Sequence, residues 1–172
     1  KYITLYSAFS NKTLNTSSHE LFINKMITCK QILNNYKQIN PDIDILVYFP
    51  NRNFIITPDT ANDSKNIYDS ISTNLRNQQD ITFQQWNALL DERKKNQFFI
   101  DSKFSYRNFG IDSIVFSSNS AFIYEDKNKF NIYTSIPCSF IDEILNDNQN
   151  SVVCIINKDG TILKQLGSNT SF

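Results

Sequence analysis

Two short β-rich runs, residues 43–49 and 54–57, flank the turn Pro50-Asn51-Arg52-Asn53. A polar turn between two apolar runs predicts an antiparallel hairpin. Its position constrains the rest of the chain: the residues before it have helical periodicity, and most of those after it read as the remainder of one sheet with its covering helices. Pro41 biases Asn40 away from the helical region, so a corner at Ile39-Asn40-Pro41 must hand the preceding helix to the first strand.

That helix is long. Ser17-Ser18-His19-Glu20 has the form of a capping box, in which the Ser hydroxyl and the Glu carboxylate each satisfy a free backbone amide. Phe22, Met26, Cys29, Leu33 and Tyr36 follow at alternating spacings of four and three, with Leu21, Ile32 and Ile39 widening the stripe. A weaker helical pattern, Ile3, Leu5 or Tyr6, and Phe9, covers residues 1–10. After the hairpin, 58–63 is turn chemistry, and Ile67, Tyr68, Ile71 and Leu75 fall on one helical face. Thr82-Phe83-Gln84-Gln85 is a second capping box, with Ile81 and Trp86 placed as a hydrophobic staple. Four strands are then expected, at 98–106, 111–116, 121–125 and 130–136, followed by a short helix near Phe140 to Leu145. A last strand pair, 152–156 and 161–166, turns at Lys158-Asp159-Gly160. The fold class is α+β, with residues 1–140 as one domain and 141–172 opening a second, smaller lobe.

The 172 residues suffice for a core without staples, and 14 Phe with 8 Tyr make that core aromatic. Lys+Arg and Asp+Glu balance at 17 each, which removes the electrostatic footprint of a nucleic-acid partner. Cys29, Cys138 and Cys154 lack CxxC spacing and read as buried thiols. No run approaches the roughly 20 apolar residues of a membrane span. The start without Met reads as that of an excised fragment.

Chemistry is scarce. The single histidine, His19, sits in a helix cap, so a Ser-His-Asp or Cys-His site has no other base to use. HExxH, GxSxG, phosphate-loop and paired CxxC motifs are absent, and no cofactor or metal is implied. Asp42 and Asp44 bracket Ile43 and read as solvated strand-end carboxylates. The candidate ligand-binding group is Trp86, Tyr106, Arg107, Tyr124 and Tyr133, amphipathic residues on a helix and strands that would face one another across a helix-covered sheet. Arg107 could clamp a carboxylate with its planar fork. The competing reading makes the same residues core and rim.

The order of elements resembles the extracytoplasmic Cache fold, a PAS-like sensor domain. The run 21–58, with Tyr36, Ile39-Asn40, Ile43-Asp44-Ile45, Val47-Tyr48-Phe49 and Ile55-Ile56, resembles ectodomains of membrane-bound AraC-type transcriptional regulators. So do Phe83-x-x-Trp86-x-x-Leu89 and Ile132-Tyr133-Thr134-Ser135-Ile136-Pro137. The resemblance implies a non-catalytic sensor on the extracellular side of a bacterial membrane, attached through flanking segments, with a carbohydrate-related or other small metabolite as ligand. It further implies a possible homodimer through the N-terminal helix, and a tail that opens the membrane-proximal lobe of a double Cache arrangement. Sensors of a histidine kinase or chemoreceptor, or an adhesive surface module, are the alternatives. Tyr106-Arg107 follows Trp86, whereas amino-acid-binding Cache domains resemble the reverse order, so an amino-acid ligand is not implied.

Overall fold

The computed structural model describes residues 18–74, 81–92, 97–120, 130–146, 153–156, 160 and 162–166. Helix α1, Ser18–Ile39, runs into β1, Asp44–Phe49, and a single turn of 3-10 helix, Pro50–Arg52, leads to β2, Phe54–Ile56. The turn works because Asn53 takes the left-handed conformation, φ 46°, which its short polar side chain tolerates. Next come β3, Ala61–Asp63, α2, Ser64–Asn74, and α3, Phe83–Asp91. Strands β4, Gln97–Asp101, β5, Ser113–Ser120, and β6, Phe130–Pro137, precede α4, Cys138–Asn146, and the pair β7, Val153–Ile156, and β8, Ile162–Leu166.

Among the described residues the main sheet has six antiparallel strands in the order β3-β2-β1-β6-β5-β4. Its central seam joins the two ends of the fold, since β1 pairs with β6 through Leu46↔Tyr133 and Val47↔Ile132. Because side chains alternate across a strand, that seam sorts two cores. Ile45, Val47 and Phe49 face α1, where Cys29 and Leu33 meet them together with Ile56, Phe130 and Ile132. Leu46 and Tyr48 face the other way, under Ile67, Tyr68 and Ile71 of α2 and Trp86 and Leu90 of α3. β1 is buried at all six positions, since both its faces are covered.

The stripe expected from the sequence runs along α1 and the capping box expected at Thr82 opens α3, whereas the box expected over residues 17–20 begins outside the described residues. α1 begins at Ser18 and ends where Asn40 returns its backbone N–H to Tyr36 O (3.0 Å) and its side-chain amide to the same carbonyl (3.1 Å). Pro41 then enforces the exit. The stripe is narrower than expected, however: Ile39 is 70% exposed, because the helix leaves the sheet at its last turn. At α3 the capping box is complete, with Thr82 Oγ1 accepting from Gln85 N and Gln85 Oε1 accepting from Thr82 N.

Four expectations need correction. Residues 58–63 are not all turn: Thr57 and Thr60 close the turn through Thr57 N to Thr60 O (2.8 Å), and Ala61–Asp63 then adds an edge strand. The expected strand 98–106 stops at Asp101, whose carboxylate accepts from Lys103 N (2.8 Å) and turns the chain out of the ladder. Residues 102–112 form an irregular strap instead, closed by Gly110 N to Ser102 O (2.7 Å) with Gly110 at φ 88°. Cys154 is exposed, unlike Cys29 and Cys138, because it sits on the two-stranded β7–β8 sheet, which has little to bury it. Asp44 is buried under the strap, not solvated. The expected elements at 1–10 and 121–125 lie outside the described residues. Among those described, no helix is long and apolar enough to cross a membrane. The expected division between 140 and 141 falls within α4.

Candidate functional site

The capping box fixes the start of α3, and this places Trp86 inward one turn later. Trp86 is 1% exposed, and its indole Nε1 donates to Lys103 O of the strap (2.9 Å). Tyr133 reaches the far end of the same helix: its hydroxyl donates to Leu90 O (2.7 Å), and Asn131 Nδ2 donates to the same carbonyl (2.8 Å). A carbonyl in the last turn of a helix has no intrahelical partner, so the two strand side chains serve as its cap. Burial pushes the Tyr133 hydroxyl well above the usual tyrosine range, against the opposing pull of Asn131.

Trp86 and Tyr133 thus share one core with Tyr68, Phe104 and Leu90, and Tyr106 packs at its margin. The Phe104 ring lies 4.7 Å from the Tyr133 ring and 5.0 Å from that of Phe99. The polar ends of Trp86 and Tyr133 are bound to backbone carbonyls. Tyr124 lies outside the described residues.

Arg107 belongs to a different place. Its backbone N–H donates to Asp44 Oδ2 (2.7 Å), and its guanidinium Nη1 donates to Pro41 O (3.1 Å), so it spans the α1–β1 corner. Asp44 overturns the solvated reading: it is 2% exposed and also accepts from Ser105 Oγ (2.8 Å) and from Ile45 N (3.1 Å). Ser105 Oγ in turn accepts from Asn108 N (2.9 Å). One carboxylate therefore latches the strap to the first strand, with three donors offsetting its desolvation. The signal was present in the strand itself, since Asp44 shares the inward parity of Leu46 and Tyr48.

Beside this latch lies a cleft of about 360 Å³ lined by Asp42, Asp44, Arg107, Asn108, Phe140 and Glu143. A second, more open groove of about 550 Å³ follows the outer side of α3, between Ile81, Gln85, Leu89, Glu92 and Lys103 of the strap. Neither Asp42 nor Glu143 enters an ion pair among the described residues. The cleft offers hydrogen bonds of both senses and one ring. Among the described residues no three His, Cys, Asp or Glu side chains are grouped to hold a metal.

In comparison with known proteins, no family model, no curated protein and no solved structure matches the chain.

Proposed function

We propose that this chain is the extracellular ligand-sensing domain of a bacterial transmembrane signalling protein, built on a PAS-like Cache sheet. Its output would be transcription through an AraC-type DNA-binding domain, with a histidine kinase or chemoreceptor as the alternative outputs. The observation that carries this reading is the strand order: an N-terminal hairpin and a C-terminal meander join at β1–β6, with α2 and α3 on one face and α1 on the other. This order supports the PAS-like reading. It also lets a long helix register the state of the sheet, because a close-packed interface changes between discrete packings and does not deform smoothly. Exposed Ile23 and Ile27, four residues apart on the outer side of α1, suit the pairing of two such helices in a dimer.

A ligand would act through its difference in affinity for two packings of the domain, with α1 carrying the shift toward the membrane. The test is made in the intact receptor: Leu33→Ala in α1, which is buried against the sheet, is expected to alter basal or induced signalling while the receptor still reaches the membrane. Unchanged signalling would overturn the reading. The burial of Trp86 and Tyr133, whose polar ends are bound to backbone carbonyls, favours a second reading, a surface module without a small-molecule ligand. Thermal shift separates the two, since a binder at a hundredfold excess over its Kd stabilises by about 2.7 kcal/mol.

A further inference from the structure

We infer that the cleft between the α1–β1 corner, the strap and the start of α4 binds a small neutral polyhydroxylated molecule, a monosaccharide or sugar alcohol. The inference rests on the sensor reading and names the site and chemical class of its ligand.

The lining decides the class. Arg107 presents a planar fork with one N–H committed to Pro41 O, and Asp42 and Glu143 present planar carboxylates without ion pairs among the described residues. An anion entering the cleft would meet Asp42 and Glu143, with the buried Asp44 adding to their field, and a cation would meet Arg107. A hydroxyl both donates and accepts, so vicinal hydroxyls satisfy carboxylate, guanidinium and the Asn108 amide alike. Phe140 adds a half-buried ring on which the C–H face of a sugar can lie. The volume is at the small end of the range for small-molecule sites.

Two further observations favour this place. Ser135 pairs directly across from Asp44, a residue that lines the cleft, and its buried hydroxyl has no hydrogen-bond partner among the described residues. The cleft also touches the latch itself, because Asp44 and Arg107 line it and hold the strap. The same strap accepts the Trp86 indole N–H at Lys103 O, so occupancy of the cleft has a direct route to the buried core.

Trp86 is the sole tryptophan, which makes its emission the readout. The whole chain is titrated with glucose, xylose and mannitol, and in parallel with alanine and putrescine, following Trp emission and Tm. A saturable change with at least one polyol is expected, and none with alanine or putrescine. Glu143→Gln, at an exposed side chain, should leave the unliganded Tm nearly unchanged, and Arg107→Ala, which also removes the guanidinium bond to Pro41 O, should lower it slightly. Each should weaken polyol binding about tenfold or more, the loss of a hydrogen bond to a charged group. Absence of a response to every polyol, a response to alanine or putrescine alone, or undiminished binding in both variants would each overturn the inference. The sensor reading is decided separately, by the α1 variant in the intact receptor.

Discussion

At the scale of single residues, a carboxylate that sequence spacing assigned to solvent holds the strap to the first strand. Asp44 binds Ser105 Oγ and the Arg107 and Ile45 amides, so truncation strands several donors at once. Asp44→Ala is expected to cost about 3 kcal/mol in urea unfolding, the penalty of leaving buried hydrogen-bonding groups unpaired. Asp44→Asn keeps one acceptor oxygen and should cost less. Equal, negligible losses in both variants would show that the strap is not held there. The three cysteines make a second prediction: an aromatic disulfide reagent should label exposed Cys154 in the native protein at pH 8, and Cys29 and Cys138 only on unfolding. Fast labelling of Cys29 would contradict the packing of α1 on the sheet. Asp44 was misplaced because its proximity to Asp42 and Pro41 resembles a strand end, while its partners lie more than sixty positions away in the chain. Cys154 was misplaced because an apolar neighbourhood in sequence does not guarantee a second layer to bury it.

Among elements, α3 depends on groups outside itself at both ends. Its start was legible, because a capping box is local and Thr82 and Gln85 complete it as the spacing requires. Its end was not, because Leu90 O is capped by Asn131 and Tyr133 from a strand some forty residues on. Two donors to one carbonyl should be partly redundant. Tyr133→Phe alone is expected to cost about 1 kcal/mol, and Asn131→Ala a similar amount, while the double variant costs more than their sum. A double-mutant cycle by urea denaturation measures this, and strict additivity would deny the shared cap. The strap failed to be read for a related reason. Phe104 and Tyr106 alternate as strand residues do, but Asp101, Ser105 and Gly110 bend the backbone with local hydrogen bonds, and the aromatics then pack as core beneath no strand. Of the five candidate ligand residues, Trp86 and Tyr133 became pins of α3, Tyr106 a core margin and Arg107 a corner brace. The sequence could identify them as amphipathic, but only the fold shows where their polar ends go.

For the whole molecule, a sheet buried on both faces places ionisable groups in two separate cores, and their protonation joins those cores in one pH response. Cys29 lies in the core under α1, where burial pushes its thiol up to about 12 from an ordinary 9.0. Tyr48 and Tyr133 lie in the opposite core, both held above the ordinary tyrosine range, first by burial and then by nearby acidic side chains such as Asp91. In each case the folded state keeps a proton that the unfolded chain releases at lower pH. Their stability contribution is therefore complete below the unfolded pKa and is lost as pH rises toward the folded one. For Cys29 the window runs from about pH 9 to about 12, and this one thiol can remove at most about 1.4 kcal/mol per pH unit within it. Stability from urea midpoints should accordingly be insensitive to these groups below pH 9 and fall steeply above it. Cys29→Ala removes one titrating group from one face only, so its curve should start lower by the cost of a small cavity and then decline less steeply than that of the native protein. Parallel declines in the two proteins between pH 9 and 12 would show that the α1 face is open to solvent at alkaline pH, and with it that α1 is not the closely packed element that the proposed sensing mechanism needs.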